Sequence, residues 1–488
     1  MKFYIETFGC QMNEHDSEKM DHLLQTGGFE PAKDTTDADV IIVNTCCVRE
    51  KAEQKFYSRM GRLKDLKTKQ GKILGITGCI AQLEKEGIKK RLPFIDFSLG
   101  PSSIHKITEA VEHAARKTDF LDFSENGYHP CVFVATGNKN NGVKAFVTIM
   151  KGCNNFCSYC VVPHVRGREV SRESSDILNE IKGLVRKGIK EVTLLGQNVN
   201  SYNRGSKDIS FPEILEKING IDGIERIRFV TSHPKDLSAE LINCFGMLDK
   251  LCEQIHLPFQ AGSDSVLKLM NRGYTADEYI DKVVRLRNRC SDIAITTDCI
   301  VGFPGENKEA FDKTMELVRH VKFDGIFSFA YSPRKHTAAS ALPEEVPKEV
   351  ALERLRHLQE VQKGITLKKN RSIEGKTVEV LVEGSSKNSE EEITGRTRTN
   401  KIVNFKGEKD MVGRITDVHI VKGCTNSLKG EKPKGSIKSC MKNSSHSKRE
   451  GESLLAGHLL AGCEEGATGY PLAGVPVIDQ GGTICLKK

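Results

Sequence analysis

The stretch Cys153-Asn154-Asn155-Phe156-Cys157-Ser158-Tyr159-Cys160 places three thiols at Cx3Cx2C spacing directly after an apolar run, residues 145–150. That run reads as a β-strand and the stretch as the loop that leaves it. Thiols spaced this way wrap one face of a compact cluster. A zinc ribbon wants a fourth ligand and usually a second paired knuckle, and neither follows. A four-iron cluster held by three thiolates keeps one iron open, which suits a site that binds and activates another molecule. Coincidental cysteines are the bland alternative, and placement at a strand end argues against it.

Downstream of this loop, strand-like and helix-like stretches alternate. Candidate strands are 145–150, 191–195, 226–230, 254–257, 294–301 and 326–330, with helical stretches between most of them, notably 174–187, 276–289 and 308–321. Six βα units predict a complete or partial α/β barrel with its active site at the C-terminal ends of the strands. A basic helix around 348–369 closes this domain. Residues 373–424 switch to short alternating strands, such as 377–382 and 414–421, with Gly-rich turns, the pattern of a small β-barrel. Beyond about 425 the pattern decays: the Lys/Ser/Gly-rich 429–449 reads as disordered, and the apolar remainder to Lys488 matches no element.

Upstream, three units repeat one plan. Apolar strands at 2–8, 39–44 and 72–77 run into Gly9-Cys10, Thr45-Cys46 and Gly78-Cys79, and each is followed by a charged helix-like stretch (14–26, 49–68 and 81–90). Strand–helix–strand spacing of this kind implies a parallel sheet with crossover helices. All its strands point one way, so residues just past their C-terminal ends share a rim. Cys10, Cys46 and Cys79 are therefore expected to meet in space. A Gly/Asn-rich connector ending in Thr136-Gly137-Asn138-Lys139-Asn140-Asn141-Gly142 separates this unit from the barrel.

Composition narrows the class. At 488 residues the chain accommodates about three domains, and its 38% apolar content supports a sizeable core. No run approaches the ~18–20 apolar residues of a membrane span, and Met1 to Cys10 opens no signal-peptide pattern. A cytoplasmic chain with no membrane partner is expected. Lys plus Arg exceed Asp plus Glu by 73 − 65 = 8, a mild excess compatible with a nucleic-acid partner without demonstrating one. There are sixteen cysteines and no tryptophan. In a long chain without a signal peptide, that count points to metal or Fe–S ligation rather than a disulfide framework.

Cx3Cx2C after the first strand of a βα barrel resembles the radical S-adenosylmethionine (SAM) enzymes. In that family the open iron chelates the amino and carboxylate groups of SAM, and electron transfer cleaves the sulfonium to a 5′-deoxyadenosyl radical. Further motifs are similar to one branch, the methylthiotransferases. These are Phe8-Gly9-Cys10-Gln11-Met12-Asn13, Asn44-Thr45-Cys46-Cys47-Val48-Arg49-Glu50 and Leu194-Leu195-Gly196-Gln197-Asn198-Val199. Thr231-Ser232-His233-Pro234, His256-Leu257-Pro258-Phe259-Gln260-Ala261-Gly262-Ser263 and Ile300-Val301-Gly302-Phe303-Pro304-Gly305-Glu306 complete the set. The small C-terminal barrel is similar to the RNA-binding TRAM domain. Gly9-Cys10-Gln11-Met12-Asn13 most resembles the members that act on N6-isopentenyladenosine next to the tRNA anticodon. Relatives acting on threonylcarbamoyl-adenosine or on a ribosomal protein usually carry other residues after that cysteine.

The resemblance implies an α/β fold in three parts. An N-terminal parallel-sheet αβ domain (1–117) carries an auxiliary cluster, and a linker (118–142) leads to a partial (β/α)6 radical SAM barrel (143–371). A TRAM-like β-barrel (372–430) follows, then an unassigned tail expected to be disordered (431–488). It assigns Cys153, Cys157 and Cys160 to the SAM-binding 4Fe–4S cluster, and Cys10, Cys46 and Cys79 to an auxiliary 4Fe–4S cluster whose open iron seats the sulfur to be inserted. Tyr159 stands where the family places an aromatic near the adenine. Gly196 and Gln197, after the second strand, are expected beside the SAM amino group, and Gly302, Pro304 and Gly305, after the fifth, beside the adenosine. For both loops a tight turn requiring φ > 0 is the bland alternative. Gln260 and Ser263 are further candidates for lining the pocket. Arg166, Arg168 and Arg172 are expected to contact phosphate or to form a solvated basic face.

The family's chemistry takes two SAM molecules. One methylates sulfur at the auxiliary cluster, and the other yields the radical that abstracts hydrogen from C2 of the adenine, which then attacks the methylated sulfur. The implied partners are a tRNA anticodon stem-loop, an electron donor such as flavodoxin or ferredoxin, and a sulfur donor, with the chain acting as a monomer. A methylthiotransferase acting on another substrate and a non-catalytic Fe–S RNA-binding protein are the rival expectations. Departures are few: Cys47 is an extra thiol expected not to ligate, because adjacent residues project differently, and Ala261 and Asn307 stand where relatives often have Ser and Thr. Cys131, Cys244, Cys252, Cys290, Cys299 and Cys424 read as ordinary thiols, and Cys440, Cys463 and Cys485 lie in the tail.

Overall fold

Val40-Ile41-Ile42-Val43 are all buried, and four consecutive apolar residues hidden on both faces mark the inside of a parallel sheet flanked by helices. The computed structural model describes residues 1–47, 50–124, 142–343, 345–386, 389 and 391–433. Its first strands are β1 (Lys2–Phe8), β2 (Glu30–Pro31), β3 (Val40–Thr45), β4 (Ile73–Gly78), β5 (Phe97–Leu99) and β6 (Phe120–Asp122). They form one sheet in the order β2-β1-β3-β4-β5-β6, parallel throughout. Helices α1 (Gln11–Thr26), α2 (Glu50–Gln70), α3 (Cys79–Glu84), α4 (Gly87–Arg91) and α5 (Ile107–Ala115) connect them. The expected single helix over 81–90 is two, broken where Lys85 takes a left-handed φ of 46°. β5 and β6 were not among the expected strands. With three residues each, they are too short to show a period.

The second alternation begins with β7 (Lys144–Thr148) and continues through β8 (Met150–Lys151), β9 (Val170–Ser171), β10 (Glu191–Leu195), β11 (Arg226–Phe229), β12 (Gln254–His256), β13 (Ala294–Val301) and β14 (Gly325–Ala330). β8 and β9 pair as a small antiparallel ribbon. The other six form two parallel sheets, β11-β10-β7 and β12-β13-β14, joined by a bridge between Ile227 and Leu251. This is the partial six-stranded barrel. Two of its helices, Ala276–Arg289 and Lys308–Val321, match the expected limits. Thr275 and Glu278 form a capping box at the first, and the Asn307 side chain accepts from the Ala310 amide at the second. A short helix, α6 (Val162–Arg166), follows the three-cysteine loop.

The last described domain is a closed barrel, β15-β16-β17-β19-β18, built from β15 (Thr377–Ser385), β16 (Glu392–Thr397), β17 (Ile402–Lys406), β18 (Ile415–Gly423) and β19 (Leu428–Glu431). Val380, Val382, Ile393, Val403, Phe405, Val418, Ile420 and Leu428 fill it. It docks on the N-terminal ends of the larger barrel's strands. Arg226 donates to the Arg396 carbonyl (2.7 Å) and the Glu379 carboxylate (2.7 Å). Arg228 donates to the carbonyls of Arg398 and Thr397, both at 2.8 Å. Arg398 in turn clasps Glu253, and Lys401 reaches Asp324 at 3.2 Å. Residues 125–141 of the expected linker and 434–488 of the expected tail lie outside the described residues, with Cys131, Cys440, Cys463 and Cys485 among them. No helix among the described residues is long and apolar enough to cross a membrane.

Candidate functional site

The registers Phe8↔Thr45 and Thr45↔Gly78 bring three strand ends level, so Cys10, Cys46 and Cys79 emerge at one rim. Side chains of the flanking motifs tie the rim together. Asn13 donates to the Asn44 carboxamide (3.1 Å) and the Thr45 carbonyl (3.0 Å), and Asn44 donates back to the Asn13 carbonyl at 2.8 Å. The Thr45 hydroxyl donates to the Thr77 carbonyl at 2.9 Å and accepts from the Ile80 amide at 3.3 Å. Gly78 holds φ +95°, and a Cβ there would lie 2.5 Å from the Thr45 carbonyl oxygen. The short motifs around each cysteine are thus a hydrogen-bonded clamp. Cys46 and Cys47 point to different partners, the first toward Cys10 and the second toward Cys79. Cys47 is itself buried, so this rim carries four thiols.

At the barrel, Gly152 (φ +77°) opens the three-cysteine loop, where a Cβ would sit 2.0 Å from the Arg168 carbonyl oxygen. The Cys153 amide donates to the Gly167 carbonyl at 3.2 Å, closing the loop at its base. The Gln197 carboxamide oxygen accepts from the Gly152 amide, so that side chain braces the loop. Arg272 is buried and central: it donates to the Cys157 thiol (3.2 Å), the Tyr159 hydroxyl (3.4 Å) and the Pro258 carbonyl (2.9 Å). His233 stands 3.9 Å from the Cys157 sulfur, and burial drives its imidazole pKa down to about 2, so it is neutral. Asp236 accepts from Asn198 at 2.7 Å and from Asn155 at 3.3 Å. Tyr159 meets Phe303 edge-on, ring centroids 6.4 Å apart. The expected set gave no role to Arg272, which has no local pattern around it.

The remaining expected residues divide. Gly196 does not hold a positive φ; a Cβ there would meet the Met150 side chain at 2.5 Å. Gly302 and Gly305 do adopt left-handed φ, 70° and 80°, around Pro304. Their loop is locked by the buried Glu306, which accepts from the Gly302 amide (3.0 Å) and pairs with Arg354 at 2.7 Å. Ser263 shares a hydrogen bond with Ser265 at 2.9 Å. Gln260 is buried with φ +67°, as Thr231 holds +69°; such strain in residues with side chains clusters at ligand sites.

Neither phosphate contact nor a solvated face describes Arg166 and Arg172. Both are buried, and only Arg168 is exposed, lying over the Phe156 ring at 5.2 Å. Arg172 donates to the Thr148 carbonyl (2.7 Å) and to Glu180 (2.6 Å), bracing the end of β7. Arg166 pairs with Asp16 at 2.8 Å, across the domain boundary. A run of basic residues says nothing of partners elsewhere in the chain, and here those partners are carboxylates that neutralise two of the three.

The helix that leaves the barrel's cysteine loop packs on the N-terminal rim. Val161 and Val165, which flank the start and body of α6, are buried in the N-terminal core beside Cys47, Cys79 and Ile80. Three buried oxygens past the barrel strand ends have no partner among the described residues: Asn198 Oδ1, Ser232 Oγ and Gln260 Oε1. Buried polar atoms seldom stay unsatisfied, so these fit a polar ligand such as SAM. No three His, Cys, Asp or Glu side chains among the described residues gather closely enough for a single metal ion. The donor chemistry at each rim, thiols without carboxylate or imidazole ligands, fits Fe–S clusters.

The two thiol sets differ electrostatically. Donation from the Cys46 thiol, aided by Arg166, draws Cys10 down to about 6, and donation from Cys47 draws Cys79 down to about 7. Burial pushes Cys153 up to about 11 and Cys160 up to about 12. In metal-free protein, iodoacetamide is therefore expected to alkylate Cys10 roughly tenfold or more faster than Cys153 near neutral pH, after discounting the weaker nucleophilicity of a low-pKa thiolate. The Cys10 rate should flatten above its pKa while the Cys153 rate keeps climbing. Equal rates, read by peptide mass spectrometry across pH, would contradict these environments.

Comparison with known proteins covers nearly all of the described chain. The family models that match are the uncharacterized protein family UPF0004 over residues 2–100, the radical SAM superfamily over 147–318 and the TRAM domain over 371–432. The chain is 48% identical over 435 residues to a tRNA-2-methylthio-N(6)-dimethylallyladenosine synthase of Clostridium botulinum, covering 88% of this chain and 96% of that protein. It is 50% identical over 436 residues to the synthase of that name from Syntrophobacter fumaroxidans, covering 88% and 95%. Among solved structures it is similar to the radical SAM methyltransferase TsrM from Kitasatospora setae with cobalamin and a 4Fe–4S cluster bound. That match has a TM-score of 0.53 and 13% identity, and covers 70% of this chain and 77% of that one; at this identity the likeness is one of fold.

Proposed function

We infer the function from one premise: this chain belongs to the family of tRNA-2-methylthio-N(6)-dimethylallyladenosine synthases. It is a radical SAM methylthiotransferase that converts N6-isopentenyladenosine in tRNA to its 2-methylthio derivative, using SAM and two 4Fe–4S clusters. The observation that carries this reading is the packing of α6, which leaves the barrel's three-cysteine loop, on the N-terminal rim beside Cys47 and Cys79.

Cys153, Cys157 and Cys160 are assigned to the SAM-binding cluster and Cys10, Cys46 and Cys79 to the auxiliary cluster. When bound, these groups supply the reducing electron for SAM cleavage and the seat for the sulfur; an aromatic C–H that resists acid–base chemistry needs such a radical route. The protein's own part is placement and exclusion of water. Arg272 orients Cys157 and Tyr159 from one fork, and Gln197 and Gly152 hold the loop's base. Asn198, Ser232 and Gln260 offer acceptors to SAM. Neutral His233 adds no competing charge beside Cys157.

The tRNA substrate implies a cytoplasmic site of action. We assign the anticodon stem-loop as the bound region, an electron donor such as flavodoxin or ferredoxin, a sulfur donor, and a monomer as the working unit. Domain limits of 1–117, 143–371 and 372–430 accompany this assignment. Phosphate contacts should make tRNA affinity fall with added salt.

Anaerobic reconstitution with iron and sulfide, then assay with SAM and reductant, tests the whole. About eight irons per chain are expected for two four-iron clusters. The 2-methylthio product should form on tRNA carrying N6-isopentenyladenosine and not on threonylcarbamoyl-adenosine tRNA or ribosomal protein. About four irons, or product only on another substrate, would overturn the reading.

A further inference from the structure

Arg166 stands at an unusual junction. The loop that begins at Cys153 closes on the Gly167 carbonyl, so Arg166 is the last side chain before the closure. α6 (Val162–Arg166) carries a proline in its first turn and ends at Gly167 with φ +76°, which sets where the arginine points. Val161 and Val165 anchor this helix in the N-terminal core, and it packs on α3, which starts at Cys79. The partner of Arg166, Asp16, sits on α1, which begins directly after Cys10, so the guanidinium lies between the helices that leave Cys10 and Cys79. Asp16 pairs with it at 2.8 Å, with side-chain exposures of only 7% and 8%.

We propose that Arg166 is a positioning residue for the auxiliary cluster: the loop that carries one set of cluster thiols also delivers the cation that sets the charge and seating of the other. The proposal rests on the assignment of Cys10, Cys46 and Cys79 as ligands. A cluster bearing several thiolates is net negative, and reduction adds another electron. A fixed cation beside it, in a buried site of low dielectric, favours the reduced form and retains anionic sulfur at an open iron. Arginine suits the place because its fork holds the Asp16 carboxylate and it stays charged when buried. Asp16 is the opposing charge. If the pair were only an inter-domain brace, removing either partner would have the same consequence; if Arg166 acts on the cluster, the two removals act in opposite directions.

The test uses the full chain with Cys153, Cys157 and Cys160 replaced by Ala, so that only the auxiliary cluster remains, reconstituted anaerobically and titrated by EPR. Arg166→Gln is expected to shift the midpoint potential to more negative values or to lose the iron. Arg166→Lys should restore most of the potential, and Asp16→Asn should shift it to more positive values with iron retained. Unchanged potential and spectrum in Arg166→Gln, or Asp16→Asn shifting the same way or losing the iron equally, would overturn the proposal. Absence of iron in the parent triple variant would instead sink the assignment of the auxiliary ligands.

Discussion

Cys157→Ala is expected to abolish 5′-deoxyadenosine formation while tRNA affinity stays within a few-fold. Cys157 is the most buried of the loop thiols and the one that Arg272 and His233 both approach. A four-iron cluster held by three thiolates has no spare protein ligand on the barrel side. Loss of the middle one should take iron from about eight to about four per chain. Removing one member of a unit that acts together costs nearly the whole effect, more than about a thousandfold in product formation. RNA binding should survive because the small β-barrel docks at the opposite end of the barrel strands from this loop. Cys290→Ala, distant from both rims, is the control. If Cys157→Ala instead lowers stability and tRNA affinity together, the clusters are structural staples and the enzyme assignment fails.

The largest stability effect is expected from Arg228→Ala. Arg228 and Glu191 form a pair at 3.0 Å with side chains only 4% and 2% exposed, and the same guanidinium donates to two carbonyls of the small barrel. Removing the arginine leaves Glu191 buried without its partner, at a cost of about 3–5 kcal/mol, and strips donors from the Thr397 and Arg398 carbonyls. Urea unfolding should register this loss, and limited proteolysis should release the C-terminal barrel first, since Arg228 is one of the side chains that tie it to the larger barrel. The double variant Arg228→Leu with Glu191→Leu should recover much of the stability, because a matched apolar pair carries no desolvated charge. A single-variant cost below about 1 kcal/mol would show the pair to be better hydrated than its burial indicates.

How far the sequence reaches depends on the range of each interaction. Strand β3 was legible because four buried apolar residues in a row have no other common use, and the helix Ala276–Arg289 because its capping box is local. Strands β5 and β6 were not, since three residues carry no period. The charge run Arg166–Arg168–Arg172 misled for a related reason. Asp16 and Glu180 neutralise two of the three, and the first of these comes from a helix of another domain.

The sequence by itself determined which thiols are held together in one loop and which end their strands at a common rim; the two clusters and the radical route are what the resemblance of those motifs to a known family implies. Those placements follow from ligand type, spacing and strand polarity, which are local or periodic. Only the tertiary structure decided that α6 packs on the N-terminal rim, that Arg272 reaches Cys157 and Arg166 pairs with Asp16, and that the TRAM barrel sits at the far end of the strands. Each of these depends on burying a charge against partners a hundred or more residues away, where desolvation makes the pairing strong and no local pattern records it.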